Sequence, residues 1–348
     1  MKIVLLVGDM TTPAGSSRNA TTIVTVLKAA GHDVSLLGYT KDFWSFVRAA
    51  RTLAKTSDIV QAIDMNPLGF AGYLATRFMH AKLVIIAQAA YAVAPLHNRR
   101  TALVSRIVYR AADAVVAGSS FVASEIQKKV PGLKVSVIDP GIDMSKFASS
   151  AEKPFSEREP FMLGVGAVKS RKGYDVSLRA FALLKDEMPH LRYVIVGSHD
   201  PAYSIVLSEL TRELGIAERV DFLTNVSDTT LNDLYERASL FILTSVNLDF
   251  HFEGFGMVFL EAAAHGLPSV GTLGNGIVDA VEDGTTGILV PQNDPKATAE
   301  AIRTILNDPA LAERMSVRAR AFAREHDQPH LIQCYQELYR DLFTHSSK

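Results

Sequence analysis

Short runs of β-branched and aliphatic residues alternate along this chain with longer stretches of helical periodicity, the order expected of parallel sheets joined by crossover helices. In the first half the predicted strands are Lys2–Val7, Asp33–Leu37, Ile59–Ala62, Lys82–Ala87, Ala114–Ala117 and Val135–Ile138. Helices fill most of the gaps. Near Ser149–Pro160, small, charged and proline residues replace the apolar rhythm, and this stretch reads as a linker. The rhythm then restarts, with strands predicted at Phe161–Val165, Arg192–Val196, Arg219–Phe222, Leu240–Thr244, Ser269–Gly271 and Gly287–Val290. Each half opens with a strand and a glycine turn, which argues for two domains of similar build, 1–148 and 149–327, and against a solenoid. A last helix, Gln328–Phe343, carries Leu331, Tyr335, Leu338 and Leu342 on its apolar positions.

A length of 348 residues is generous for one domain and comfortable for two, each able to bury a core. The composition, 48% hydrophobic and 21% charged, is that of an ordinary globular protein and excludes a disordered one. A net charge of −1 gives no global reason to expect nucleic acid as a partner. Cys334 stands alone, so no intrachain disulfide can form and a reducing, cytoplasmic compartment is expected. The opening run MKIVLLVGDM ends in glycine and aspartate without a small-residue cleavage site, as a buried first strand does and a signal peptide does not. Nowhere do about eighteen apolar residues run uninterrupted, so no spanning helix is expected.

The most informative chemistry is EGFGMVFLE, Glu253 to Glu261. Two carboxylates near one helix start, the second about two helical turns after the first, can hold hydroxyls at two places on one extended ligand. Between them Gly254, Phe255, Gly256, Met257 and Val258 offer unpaired backbone amides and the positive end of a helix dipole, which suits a diphosphate. A sugar–diphosphate–ribose presents its groups in that order. The run resembles the donor signature of the retaining glycosyltransferases of family four, and the segment from Glu261 to Pro295 continues the likeness through an apolar helix, a short strand and two glycine turns. The resemblance implies an α/β protein of GT-B fold, two Rossmann-like domains facing a central cleft. The first would be the acceptor side, the second would bind the nucleotide sugar, and the last helix, with 328–348, would return to the first. It also implies transfer of a hexose-type sugar with retention, no metal and no cofactor beyond the sugar-nucleotide co-substrate.

Further segments carry the likeness. In GVGAVKSRKGYD, Lys169, Arg171 and Lys172 precede a helix, where cations can neutralise a departing diphosphate. By resemblance Lys172 is the diphosphate lysine, with Arg171 beside it, Glu253 holds sugar hydroxyls and Glu261 the ribose. Ala167 stands where the family usually carries an arginine, a departure that removes one phosphate contact. The loop Gly8–Arg18 contains Gly15 and Ser16 where relatives often have two glycines, and the resemblance assigns both to the donor site. Asn225 and Val226 occupy the turn that reads the base through its backbone in relatives. Gln88 replaces a histidine that relatives place after the fourth strand. It can donate to a sugar hydroxyl but cannot titrate near neutrality, so it is expected as a sugar contact and not as a base. The stretch Gln61–Asn66 falls where relatives often carry histidine near the acceptor.

Three other signals bear on function. The glycines of GTLGNG lack the strand-to-helix context of a dinucleotide fingerprint. In AGSSF a helix-capping serine, Ser119 or Ser120, is expected rather than a nucleophile. The stretch 99–110, RRTALVSRIVYR, interleaves arginines with apolar residues. It could lie on an anionic membrane at the inner face and bring a lipid acceptor to the site, or be a solvated helix whose apolar side faces its own domain; the second is preferred on sequence alone. The expected partners are a nucleotide sugar and an acceptor glycan, lipid or small molecule. Alternative readings are a sugar-nucleotide epimerase, a phosphorylase, or a binding protein that has kept the pocket without turnover.

Overall fold

The computed structural model describes residues 1–8, 15–40, 42–147 and 154–344, and of 15–19 the backbone alone. The chain forms two compact units, Met1–Gly141 with Gln328–Lys348, and Ile142–Asp327. The division falls a few residues before the expected boundary at 148/149. Ile142 forms a bridge with Asp327, and the Met144 amide donates to the Asp327 carboxylate at 3.1 Å, so the chain has already joined the second unit there. Of the predicted linker, residues 149–153 lie outside the described residues.

The first unit is a six-stranded parallel sheet of β1 (Lys2–Val7), β2 (Asp33–Gly38), β3 (Ile59–Ile63), β4 (Lys82–Ala87), β5 (Ala114–Ala117) and β6 (Ser136–Val137), in the order β2-β1-β3-β4-β5-β6. The helices between them are α1 (Gly15–Ala29), α2 (Phe43–Ala54), α3 (Phe70–Thr76), α4 (Ala89–His97), α5 (Ala102–Ala111) and α6 (Ser120–Lys129). Every residue of β3 is buried, which explains why the central strands read as continuous apolar runs. The edge strand β6 is shorter than expected and exposed; it pairs only with Val116 and Ala117. Ser119 caps α6, accepting from the Val122 amide at 3.1 Å, as the AGSSF pattern predicts.

The second unit repeats the plan. Its strands β7 (Glu159–Val165), β8 (Arg192–Val196), β9 (Val220–Leu223), β10 (Ala238–Ile242), β11 (Ser269–Thr272) and β12 (Gly287–Val290) form a parallel sheet in the order β12-β11-β10-β7-β8-β9. Read from the other edge, this is the order of a dinucleotide-binding Rossmann sheet. Its helices are α7 (Tyr174–Leu183), α8 (Pro201–Glu213), α9 (Asp228–Arg237), α10 (Met257–Ala264), α11 (Pro295–Leu306) and α12 (Pro309–Glu325). Three of them begin with an Asp-Pro pair: Asp200, Asp294 and Asp308 each accept first-turn amides, and the following proline supplies a preset φ where no N–H is needed. Strand β10 ends two residues before the expected Thr244. From Thr244 onward the chain bonds to another loop, described below.

The final helix, α13 (Gln328–Thr344), packs within the first unit by burying Leu331, Tyr335 and Tyr339. Tyr339 was not among the expected contacts, and Leu338 and Leu342 are only half-buried. The phenol fits because its Oη donates to Oε1 of Gln61 at 2.5 Å inside the core. Gln61 is fully buried in the middle of β3 and is thereby a structural residue of this unit.

Candidate functional site

Site chemistry in the second unit gathers where its sheet order reverses, between β7 and β10, the place at which open parallel sheets receive ligands. The chain leaving β7 makes a short turn over Ser170–Lys172 and enters α7 through Gly173. Gly173 has φ +67°, and a Cβ there would lie 1.9 Å from the Thr244 carbonyl oxygen, so no other residue fits without moving one of the two loops. The loops are latched together. Thr244 Oγ1 donates to the Gly173 carbonyl at 2.6 Å, and the Val246 amide donates to the Arg171 carbonyl at 2.9 Å.

This latch sets two cations and a hydroxyl around one carboxylate. Glu253 Oε2 accepts from Lys172 Nζ at 2.6 Å, from Arg171 Nη1 at 3.2 Å and from Ser245 Oγ at 3.3 Å. Burial by itself would raise the Glu253 carboxyl; the charges and hydrogen bonds of Lys172 and Arg171 overcome it and hold the group at about 2 against an ordinary 4.5. Lys169 is pulled below its ordinary value by desolvation and then by the neighbouring charges of Arg171 and Lys172. The cluster therefore carries surplus positive charge, which an incoming polyanion would relieve.

Behind Glu253 lies a polar network that the sequence did not reveal. The Ser245 carbonyl accepts from Thr272 Oγ1 at 2.6 Å, and Asn275 Nδ2 donates to Thr272 Oγ1 at 3.0 Å. Asn275 Oδ1 in turn accepts the Ile277 amide at 2.9 Å, and all four residues are buried. Here GTLGNG finds its role. The Gly276 amide donates to the Glu253 carbonyl at 2.8 Å, and a Cβ on Gly276 would sit 2.1 Å from the Gly254 carbonyl oxygen. These glycines pack the loop that carries Glu253 instead of cradling a dinucleotide.

Beyond Glu253 the expected helix starts later than the spacing suggested. Gly256 is left-handed, α10 begins at Met257, and Glu261 lies about one turn into it, not two from Glu253. Phe255 is buried in the core, so only its backbone remains open to a ligand, whereas Gly254, Met257 and Val258 are half-buried. Glu261 Oε2 accepts from the Tyr235 hydroxyl at 3.1 Å, and the Tyr235 ring stacks on His265 with centroids 5.3 Å apart. The helices that carry these residues end on one half-buried side chain. Arg158 donates to the carbonyls of Tyr235, Glu236 and Ala238 at the end of α9, and to those of His265 and Gly266 at the end of α10. A guanidinium there answers both helix dipoles and supplies donors to carbonyls that have no partner within their own helix. Asn225 and Val226 form the turn after β9, Asn225 exposed with φ +53°. They lie two strands from β7, roughly 10 Å at the usual strand spacing, on the same carboxyl edge.

The remaining expected residues belong to the first unit. Gln88 directly follows β4, its amide bonded to Asp64 Oδ1 at 3.0 Å and its buried Nε2 without a protein partner. Gly15 and Ser16 open α1, and the 9–14 part of their loop, with Pro13 and Ala14, lies outside the described residues. Helix α5 buries Ser105, Val108 and Tyr109, as a helix with a side turned to its own domain does, and leaves Leu103, Val104 and Ile107 exposed. Among the described residues no helix is long and apolar enough to cross a membrane, and no three His, Cys, Asp or Glu side chains gather as they would around a metal ion.

Two Rossmann-like domains with a cation-rich loop at the switch point of the second define a class of protein before any relative is considered. Residues 145–322 match the family described as Glycosyl transferases group 1, and residues 37–146 match Glycosyltransferase Family 4; the chain belongs to the glycosyl transferases group 1 family. It is 35% identical over 233 residues to a D-inositol 3-phosphate glycosyltransferase of Streptomyces avermitilis, covering 62% of this chain and 48% of that protein. It is 30% identical over 277 residues to a GDP-mannose-dependent alpha-(1-6)-phosphatidylinositol monomannoside mannosyltransferase of Mycolicibacterium smegmatis, covering 75% and 70%. The chain spans about half the length of the inositol-phosphate glycosyltransferases it matches. In fold it superposes on Anabaena HepE in complex with UDP with a TM-score of 0.82 at 21% identity, over 98% of this chain and 100% of that one.

The ion cluster makes a stability prediction. Because the folded value for Glu253 lies below its ordinary one, the ionised carboxylate contributes stability that is complete above about 4.5 and is lost as the pH falls toward about 2. Glu253→Gln is therefore expected to lower unfolding free energy at neutral pH by on the order of 1–3 kcal/mol, with the gap to the wild type closing through the acid range. Denaturant unfolding at a series of pH values reads this; a gap that does not change with pH contradicts it.

Proposed function

We propose that the protein is a retaining, metal-independent glycosyltransferase that moves a sugar from a nucleoside-diphosphate sugar to a hydroxyl acceptor. The observation that carries this reading is the Lys172–Arg171–Glu253 cluster at the switch point of the second unit's sheet. Lys172 and Arg171 hold the diphosphate, and the first-turn amides of α10 add the positive end of its dipole. Glu253 holds hydroxyls of the transferred sugar, Glu261 holds the ribose, and the backbone at Asn225 and Val226 meets the base.

The chemical step breaks the bond between the sugar's anomeric carbon and the phosphate oxygen and forms one to the acceptor oxygen. The departing diphosphate takes the electron pair and, on the same face, the acceptor's proton. What the cluster contributes is stabilisation of the charge developing on that diphosphate by cations already held in place. The names of the relatives suggest donors and acceptors to try: GDP-mannose and phosphatidylinositol mannosides from one, D-inositol 3-phosphate from another, and UDP-glucose from a HepE complex.

Thermal unfolding with a panel of UDP-, GDP- and ADP-sugars tests the donor site, since a ligand that binds only the folded state raises the midpoint. At least one sugar nucleotide is expected to do so, and Lys172→Ala and Glu261→Ala each to abolish the shift. If none shifts the wild type at millimolar concentration, the reading fails. Release of a sugar phosphate on adding inorganic phosphate would instead support a phosphorylase.

The exposed side of α5 favours contact with an anionic membrane. Leu103 is 66% exposed, Val104 and Ile107 are each 48% exposed, and Arg99, Arg100 and Arg110 lie exposed along the same stretch. Apolar side chains flanked by arginines suit the interface of a negatively charged bilayer. Cosedimentation is expected with vesicles containing phosphatidylglycerol and not with phosphatidylcholine alone, and is expected to weaken with salt and in Leu103→Ser/Ile107→Ser. Equal recovery with both vesicles, or with neither, contradicts it.

A further inference from the structure

Helix α7 runs away from the turn at Lys172 and Gly173, and along its later part the second unit holds a cavity of about 590 Å³ that shares no residue with the Lys172–Arg171–Glu253 cluster. That volume lies within the roughly 300–1,000 Å³ usual for small-molecule sites. Ala182 and Leu183 at the end of α7, Leu214 after α8 and Pro295 at the start of α11 give it an apolar lining. Leu183 is 54% exposed, an apolar side chain left open to a ligand.

Three cations, Arg179, Lys185 and Lys296, and two acids, Glu213 and Asp294, share that lining. Asp294 is already committed: its Oδ1 caps α11 by accepting the Lys296 and Ala297 amides at 3.0 and 2.9 Å. Those amides are thereby satisfied, and the pull on an anion comes from the side chains. Lys185 Nζ donates once, to the Leu214 carbonyl at 3.2 Å, and has two protons to spare. Arg179 and Lys296 form no ion pair and no side-chain hydrogen bond among the described residues. Nearby arginines differ: Arg303 pairs with Glu187 at 2.9 Å, and Arg219 donates to the carbonyls of Lys185, Met188 and Pro189. Only Glu213 is left to answer the three cavity cations, so positive charge is in surplus beside an apolar wall. A guanidinium fork and two ammonium groups suit the terminal oxygens of a phosphate monoester, and the apolar lining suits the organic body that it carries.

We propose that this cavity binds a small organic phosphate with a compact apolar or ring body, Arg179, Lys185 and Lys296 holding the phosphate and Leu183 and Leu214 the body. The ligand is distinct from the sugar nucleotide, and the site stands whether or not the glycosyl-transfer reading does.

The test is titration of the full chain by phenyl phosphate up to tens of millimolar, beside inorganic phosphate and phenol, followed through backbone amide resonances. The Leu183, Leu214 and Lys296 amides are expected to move with phenyl phosphate, at a lower midpoint than with inorganic phosphate, and to stay still with phenol. Phosphate taken up at the donor turn shows instead at the Arg171 and Lys172 amides, so the two places are read separately. The double variant Arg179→Ala/Lys296→Ala removes two exposed side chains and is expected to raise the phenyl phosphate midpoint at the cavity amides by about tenfold. No movement in the wild type, a midpoint for inorganic phosphate or phenol as low as for phenyl phosphate, or movement undiminished in the double variant overturns the proposal. A failed donor site would show as an absent nucleotide-sugar shift and leaves this outcome untouched.

Discussion

One carboxylate shared by two cations organises the second unit. Glu253 has hydrogen bonds to Lys172 and Arg171 on one side and to Ser245 on the other, and the chain segments that supply them come from the ends of β7 and β10 and from the loop before α10. Each of those segments is fixed by bonds of its own: Gly173 against Thr244, Gly276 against Gly254, Asn275 and Thr272 against Ser245. The loops that carry the cluster are consequently each tied at more than one point. Rigid charges are what stabilise a developing anion cheaply, because the work of gathering and orienting them was done in folding.

The same arrangement explains why the pocket carries an acid among bases. Three close cations without a counter-charge would repel one another in a half-buried place, and Glu253 offsets that repulsion while the site is without a ligand. Under the proposed function a diphosphate would supply that negative charge, and the carboxylate would then be free to accept from hydroxyls. Arg158 acts at a distance on the same region. By satisfying five carbonyls it ties α9 to α10, and so sets Tyr235 beside Glu261.

Much of the fold is legible because strands of a covered parallel sheet read as nearly continuous apolar runs. Lys2–Val7, Lys82–Ala87, Ala114–Ala117, Arg192–Val196 and Gly287–Val290 form as the pattern predicts. The errors have physical causes. Leu243 and Thr244 suit a strand by type, yet β10 stops at Ile242 because a distant loop takes Thr244. Glu261 lies a turn nearer the helix start than its spacing suggests, because the left-handed Gly256 delays α10. The burial of Tyr339 is not legible in the sequence, since a phenol joins a core only where a partner such as Gln61 awaits it. Ser245, Thr272 and Asn275 could not be singled out at all: a polar residue becomes part of a site through partners far away in the chain. The exposure of Leu103, Val104 and Ile107 was equally hidden, because helical spacing says which residues share a face but not what that face meets.

The central claim is that the turn at Arg171 and Lys172 is built for a diphosphate. Calorimetric affinities of UDP against UMP, and of GDP against GMP, for the wild type and for Lys172→Met test it most directly. A preference for the diphosphate in at least one pair, lost in the variant while the monophosphate binds as before, is the predicted result. Equal affinities for mono- and diphosphate in the wild type, or a preference that survives the loss of Lys172, would contradict it.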